Sequence, residues 1–233
     1  MSSPPKAVLF DLDDTLLDRA PTFEQYIASF RQRYANNLDA CDDKFLRECI
    51  LEADSVGYRL RAEMAQYLID RLPWRDRPGV DELVATYRAD FLTAARLSAG
   101  TIELLDLLHD RSIKTGVITN GETAVQRNKL ERLGLAKRMD AIVVSAEFGS
   151  KKPDPAIFRF ALDQLGVKPN EAWFIGDHPD FDIAAAEAVG MTAFWIARMT
   201  PWPSGRAPCE RRIDSLQDII RLLNHARGDA CPG

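Results

Sequence analysis

Five short, almost wholly apolar runs recur along the chain, and they restrict its fold more than anything else in it. They are AVLF (7–10), TGVI (115–118), AIVV (141–144), AWFI (172–175) and TAFWI (192–196). Runs of four or five apolar residues without alternation suit strands buried on both faces, as in a parallel sheet. Between them lie segments with helical spacing: GTIELLDLLHD (100–110), ETAVQRNKLERLG (122–134), DPAIFRFALDQLG (154–166) and DFDIAAAEAVG (180–190). Three of the four end in Gly, the residue favoured just past a helix. Strand and helix in alternation give a doubly wound α/β fold with a parallel sheet.

One long stretch interrupts that rhythm. Between Asp18 and about Phe91 no strand-like run occurs, while Phe23, Tyr26, Ile27, Phe30 and Tyr34 follow helical spacing. So do Leu60, Met64, Tyr67 and Leu68, and then Leu83, Tyr87 and Phe91. These are amphipathic helices in succession, with RLPWRDRPGV (71–80) as a loop. The expected organisation is an α/β core made of residues 1–17 and 94–233, with an inserted all-helical domain over residues 18–93. TPWPSGRAPCE (200–210) reads as a Pro-rich loop before a last amphipathic helix, SLQDIIRLLNHA (215–226), and the tail GDACPG (228–233) as disordered.

Bulk properties narrow the partners. With 233 residues, 46% of them hydrophobic and 28% charged, the chain can bury a sizeable core in water. The formal net charge of −5 provides no field to attract nucleic acid. No apolar run is long enough to span a bilayer, and the first ten residues lack a secretory apolar segment. Cys41, Cys49, Cys209 and Cys231 form no C-x-x-C pair, so neither zinc nor a disulfide framework is expected. Cys41 and Cys49 are expected within helices, and the reducing cytoplasm is the expected compartment.

The chemistry lies where the strands end. In open α/β sheets, ligands bind at the carboxyl ends of the strands. The polar residues there are Asp11 and Asp13, Thr119 and Asn120, Lys151 and Lys152, and Asp177 with Asp182. Carboxylates gathered in one crevice repel each other, and a divalent cation relieves that repulsion. The available donors are oxygens without a His or Cys cluster, which favours Mg²⁺. A hydroxyl, a backbone N–H and a lysine then offer donors and positive charge for a phosphoryl group.

In these residues the chain resembles the haloacid dehalogenase superfamily, in particular its phosphatases with a helical cap. DLDDTLLD (11–18) matches a D-x-D-x-T motif, and VITNG (117–121) an apolar strand ending in Thr. FGSKKPDPAIF (148–158) places Lys152 directly before Pro153, and FIGDHPDFDIAAAEAVGM (174–191) matches G-D-x-x-x-x-D before a small-residue helix. Four motifs in the family's order are far more specific than any one. The resemblance implies that Asp11 attacks phosphorus and that Asp13 protonates the leaving oxygen and later deprotonates water. It implies Thr119 and the Asn120 backbone as phosphoryl ligands, with Lys152 neutralising charge beside Asp11. It places Mg²⁺ on Asp11, the Asp13 main-chain carbonyl and Asp177, with Asp182 supporting from behind. It also implies a helical cap that closes over the site and reads the rest of the substrate.

Other residues receive plainer readings. Asp14 and Thr15 are expected to cap the turn or the next helix. His178 departs from the small polar residue usual in the family and is expected to be a loop residue. His109 and His225 are expected at the surface, and Arg59, Arg61, Arg75 and Arg77 on a solvated face. The leading function is a Mg²⁺-dependent phosphomonoesterase acting on a small phosphorylated metabolite as monomer or homodimer. The alternatives are a phosphomutase, a 2-haloacid dehalogenase, in which Asp13 would have no proton to deliver, and a receiver-like phosphoacceptor module. The helical insert carries no legible substrate code.

Overall fold

The computed structural model describes residues 4–55 and 59–228. Cys231 and the rest of the expected disordered tail, 229–233, lie outside the described residues, whereas Gly228 closes the last helix. The chain forms two compact units, Met1–Asp18 with Leu97–Gly233, and Arg19–Arg96.

In the first unit the apolar runs become β1 (Ala7–Phe10), β2 (Lys114–Thr119), β3 (Ala141–Val144), β4 (Ala172–Gly176) and β5 (Thr192–Ile196). They pair in parallel in the order β3-β2-β1-β4-β5, and a two-residue strand, β6 (Arg212–Ile213), extends the sheet beyond β5. Two residues are too few to leave a periodic signal, so β6 is invisible in the sequence. The chain leaves β1 toward β2 and β3, then returns on the other side of β1 as β4. That reversal makes the gap between the carboxyl ends of β1 and β4 the topological switch point, where a crevice opens.

Both sheet faces are covered, which is why the strands read as continuous apolar runs. Val8 and Phe10 of β1 face a layer built from α5 (Thr101–Asp110), α6 (Thr123–Arg132) and α10 (Leu216–Gly228), through Leu104, Leu108, Leu130, Ile219 and Leu223. Ala7 and Leu9 face the opposite layer, with Ile157, Phe158 and Leu162 of α8 (Pro155–Leu165) and Ala186 of α9 (Ala185–Ala188). α8 starts on Asp154, whose side chain accepts from the Ala156 N–H, and stops on Gly166 at φ 63°. The one-turn α7 (Ser145–Phe148) follows β3.

The segment DFDIAAAEAVG is not one regular helix. It opens as a wider π-type turn over Pro179–Ala184, in which the N–H groups of Asp182 and Ile183 both donate to His178 O at 3.0 and 3.2 Å. Such turns put one extra residue into the coil and redirect side chains near sites.

The second unit is all helix: α1 (Arg19–Arg33), α2 (Asp43–Asp54), α3 (Arg61–Arg71) and α4 (Val80–Ala94). α4 runs through Ala94, so the unit passes the boundary at 93/94 that the sequence suggested. Its core is aromatic: Phe23 meets Phe91 edge-on at 5.0 Å, and Tyr87 stacks on Phe91 at 5.0 Å. Two expectations fail in this unit. Cys41 lies outside any helix, just before α2, because Asp42 caps that helix through the Phe45 N–H. Arg61 is no solvated arginine: it pairs at 3.0 Å with buried Asp54, which also receives Arg19 at 2.8 Å and the Tyr87 hydroxyl at 3.3 Å. Arg75 pairs with Asp39 at the surface. Among the described residues no helix is long and apolar enough to cross a membrane, and Cys41, Cys49 and Cys209 are free thiols.

Candidate active site

Three strand ends and one loop of the α/β unit bring the candidate residues together. Asp11 follows β1, with its N–H on Ile175 O of β4 at 2.9 Å. Asp177 follows β4, and Asp182 enters from the π-type turn. Potential ligand oxygens of Asp11, Asp177 and Asp182 all lie within 4.8 Å of one another, and all three residues are buried.

Lys152 lies among them. Its Nζ donates to Asp11 Oδ1 at 2.5 Å and to Asp182 Oδ1 at 2.6 Å, at 3% exposure, whereas Lys151 is exposed. Asn120 holds the lysine loop from both sides: its Oδ1 accepts the Lys152 N–H at 2.9 Å, and its Nδ2 donates to Lys152 O at 3.0 Å. The glycine before Asp177 is obligatory for a local reason. A Cβ on Gly176 would lie 2.5 Å from Cβ, Cγ and Oδ2 of Asp182, so only glycine lets that carboxylate reach Lys152 and the His178 N–H.

The Lys152 ammonium bonds two of the three carboxylates, Asp11 and Asp182. Burial pushes Asp11 up to about 7; Lys152 opposes that rise and Asp182 adds to it. Burial, then the charges of Asp182 and Asp11, raise Asp177 well above its ordinary value. Lys152 is held above its usual value because Asp11 and Asp182 outweigh its burial. Asp11 and Asp177 therefore resist carrying negative charge side by side. All its donors are oxygens, so the residues present fit a hard divalent cation.

A second group sits beside it. Lys129 Nζ donates to both oxygens of Asp13, at 2.8 Å each. Gln126 Nε2 donates to Asp13 Oδ2 at 3.0 Å and to Thr119 Oγ1 at 2.5 Å. Because Thr119 accepts there, its own O–H is available to donate elsewhere. Sequence reasoning missed Gln126 and Lys129. Both are buried on α6 together with Leu130, so polar residues occupy a core-facing i, i+3, i+4 stripe, and that was the available signal. It also missed Thr200 in the Pro-rich loop, which donates to Asp177 Oδ2 at 3.1 Å. Nothing in TPWP marks that residue in advance.

One expected cap, Thr15, fails. Thr15 Oγ1 is buried with no hydrogen-bond partner among the described residues, so it caps nothing, and Asp14 is buried in the left-handed region at φ 62°. His178 is the capping residue instead. Its Nδ1 accepts the N–H groups of Asp180 and Phe181 at 3.1 Å each, and its ring stacks on Phe181 at 4.1 Å. With Nδ1 accepting both N–H groups, the ring proton belongs on Nε2, and burial lowers the pKa of the ring. His109 and His225 are exposed.

A parallel sheet with acids, a hydroxyl and a lysine at its switch point defines a hydrolase-type site of the doubly wound class. The chain belongs to the haloacid dehalogenase-like hydrolases, whose family model matches residues 5–190. It is 32% identical to a glyceraldehyde 3-phosphate phosphatase of Methanopyrus kandleri over 94% of this chain and 98% of that one. It is 28% identical to a phosphoserine phosphatase of Thermus thermophilus over 92% and 98% of the two chains. Among solved structures, a 2-haloacid dehalogenase of Pseudomonas syringae aligns at TM-score 0.60 and 29% identity, covering 95% of this chain and 99% of that one.

Proposed function

We propose that the protein is a Mg²⁺-dependent phosphomonoesterase that hydrolyses a small phosphorylated metabolite through an aspartyl-phosphate. The observation that carries this reading is the setting of Asp11. Its Oδ1 is held by Lys152, and among the described residues no other donor reaches its side chain. One carboxylate oxygen is thus anchored while the other is available for attack.

Asp11 forms a bond to phosphorus as the bond from phosphorus to the leaving oxygen breaks, and Asp13 delivers a proton to that oxygen. Water then attacks the phosphorus of the aspartyl-phosphate, gives its proton back to Asp13, and releases phosphate and free Asp11. Thr119 and the Asn120 backbone N–H donate to phosphoryl oxygens, and Lys152 balances the charge between Asp11 and the phosphoryl group. Asp11, the Asp13 carbonyl and Asp177 would hold Mg²⁺, which when bound supplies the positive charge that lets an anionic ester approach these acids. Asp182 orients Lys152, and Thr200 orients Asp177.

The relatives with phosphatase names support phosphorus as the target. The dehalogenase likeness supports a second reading, in which Asp11 attacks carbon. Asp13 speaks against it, because a halide leaves without a proton. The two are separated by a phosphate-release screen over a panel of phosphorylated metabolites, with and without Mg²⁺, beside chloride release from a 2-chloro acid. Mg²⁺-dependent phosphate release that falls roughly 10³-fold or more in Asp11→Asn is the expected result. Undiminished turnover by Asp11→Asn, or chloride release alone, would overturn the reading. The free thiols at Cys41, Cys49 and Cys209 accord with a reducing compartment such as the cytoplasm.

A further inference from the structure

The ion pair between Lys129 and Asp13 joins a buried ammonium to a partly exposed carboxylate. Lys129 has a side chain only 6% exposed, while that of Asp13 is 23% exposed. Burying an ammonium costs desolvation free energy that an apolar side chain of similar length would avoid, so a buried pair of this kind is weak evidence for stability. Gln126, 2% exposed beside it, repeats the pattern: a polar side chain at a core-facing position whose amide nitrogen is spent on site residues. The neighbouring loop makes room for it, since a Cβ on Gly121 would lie 2.9 Å from Gln126 Cγ.

The geometry points to Lys129 and Gln126 as positioning residues for the Asp13 carboxyl, a role that rests on Asp13 being the proton-transfer group proposed above. A terminal carboxylate torsion is soft and turns freely when nothing holds it. Asp13 sits in the loop after β1, so the strand alone does not aim its oxygens. Two donors from the α6 helix do, through three contacts: two from Lys129 Nζ at 2.8 Å and one from Gln126 Nε2 at 3.0 Å. The same Gln126 nitrogen holds Thr119 Oγ1 at 2.5 Å. One amide thereby ties the proton-transfer group to the hydroxyl that faces the phosphoryl oxygens, and the spacing between those two roles is set by α6 rather than by two independent loops. Misplacement of a reacting group by about 1 Å can lower a rate about 10²-fold, which is the scale at stake.

A double-mutant cycle tests this with p-nitrophenyl phosphate and an alkyl phosphate as substrates and Mg²⁺ present. Lys129→Met is expected to lower kcat about 10–100-fold on the alkyl ester, leaving KM and inhibition by inorganic phosphate within about 3-fold. In an Asp13→Asn background the same substitution should change kcat less than about 3-fold, because its effect passes through the missing carboxyl. Lys129→Arg should recover part of the loss. Gln126→Leu, which leaves the lysine in place, should show the same dependence on Asp13 if Lys129→Met folds poorly. Losses that multiply in the double variant, or a KM effect without a kcat effect, overturn the positioning role while leaving Asp13 in place. Full kcat in Asp13→Asn overturns the proton-transfer reading itself, and the positioning role with it.

Discussion

Replacing Lys152 by Met tests the electrostatic account of the site most severely. Its ammonium lies directly against the acidic cluster, at 2.5 Å from Asp11 and 2.6 Å from Asp182, with both pairs buried. Methionine keeps most of the volume and removes the charge. Breaking a buried ion pair from one side costs about 3–5 kcal/mol, because the partner is left charged and dry. For a chain of this size each kcal/mol is worth about 2–4 °C, so metal-free Lys152→Met should melt about 6–20 °C below the wild type. The deficit should depend on pH with a definite sign. Asp11 is pushed from an ordinary 3.8 to about 7 in the folded state, so it retains a proton on folding that the unfolded chain gives up. Stability from such a group is complete below the unfolded value and is lost as pH rises through the folded one. Lys152 lowers that folded value, so without it the loss continues to higher pH: the two proteins lose stability in parallel up to about pH 7, and the gap between variant and wild type should widen between about pH 7 and about pH 9. Mg²⁺ should raise the melting temperature of the variant more than that of the wild type, since it would meet a more negative site. Melting in EDTA and in excess Mg²⁺ across that range is the assay. A variant that melts within about 2 °C of wild type at every pH, or whose gap narrows as pH rises, would refute the reasoning.

Gly176→Ala should force Asp182 off Lys152, because the new Cβ would meet Asp182 atoms at 2.5 Å. Overpacking of this kind costs about 1–3 kcal/mol, readable as a melting shift, and phosphate release should fall with it. Thr200→Val removes the hydroxyl that donates to Asp177 Oδ2 at 3.1 Å. The Mg²⁺ concentration for half-maximal activity should rise about 10-fold or more while the melting temperature stays put, as a titration of activity against Mg²⁺ would show. In the helical unit, Asp54→Leu removes the buried carboxylate that receives both Arg19 and Arg61. Leaving those guanidinium groups without it should destabilise that unit by about 3–5 kcal/mol, measured by chemical denaturation.

The amino-acid sequence alone determined five of the six strands of the α/β unit and the residues at their ends. Strands buried on both faces need uninterrupted apolar runs, and that requirement is local, so AVLF, AIVV and TAFWI declare themselves. Asp11, Asp177 and Lys152 could be named for the same reason: each directly follows a strand or precedes a proline-marked helix start. The aromatic spacing of the helical unit was equally legible, because a helix facing a core repeats every three to four residues. Only the tertiary structure decided which polar residues inside helices and loops turn toward the site. Gln126 and Lys129 look in sequence like a solvated face and Thr200 like part of a turn, and Arg61 gives no sign of Asp54. Their partners lie far away along the chain, and a hydrogen bond between distant segments leaves no periodic trace in either one. The physical reason is one of range: burial patterns are written residue by residue, whereas the aim of a buried polar side chain is set by whatever the fold places opposite it.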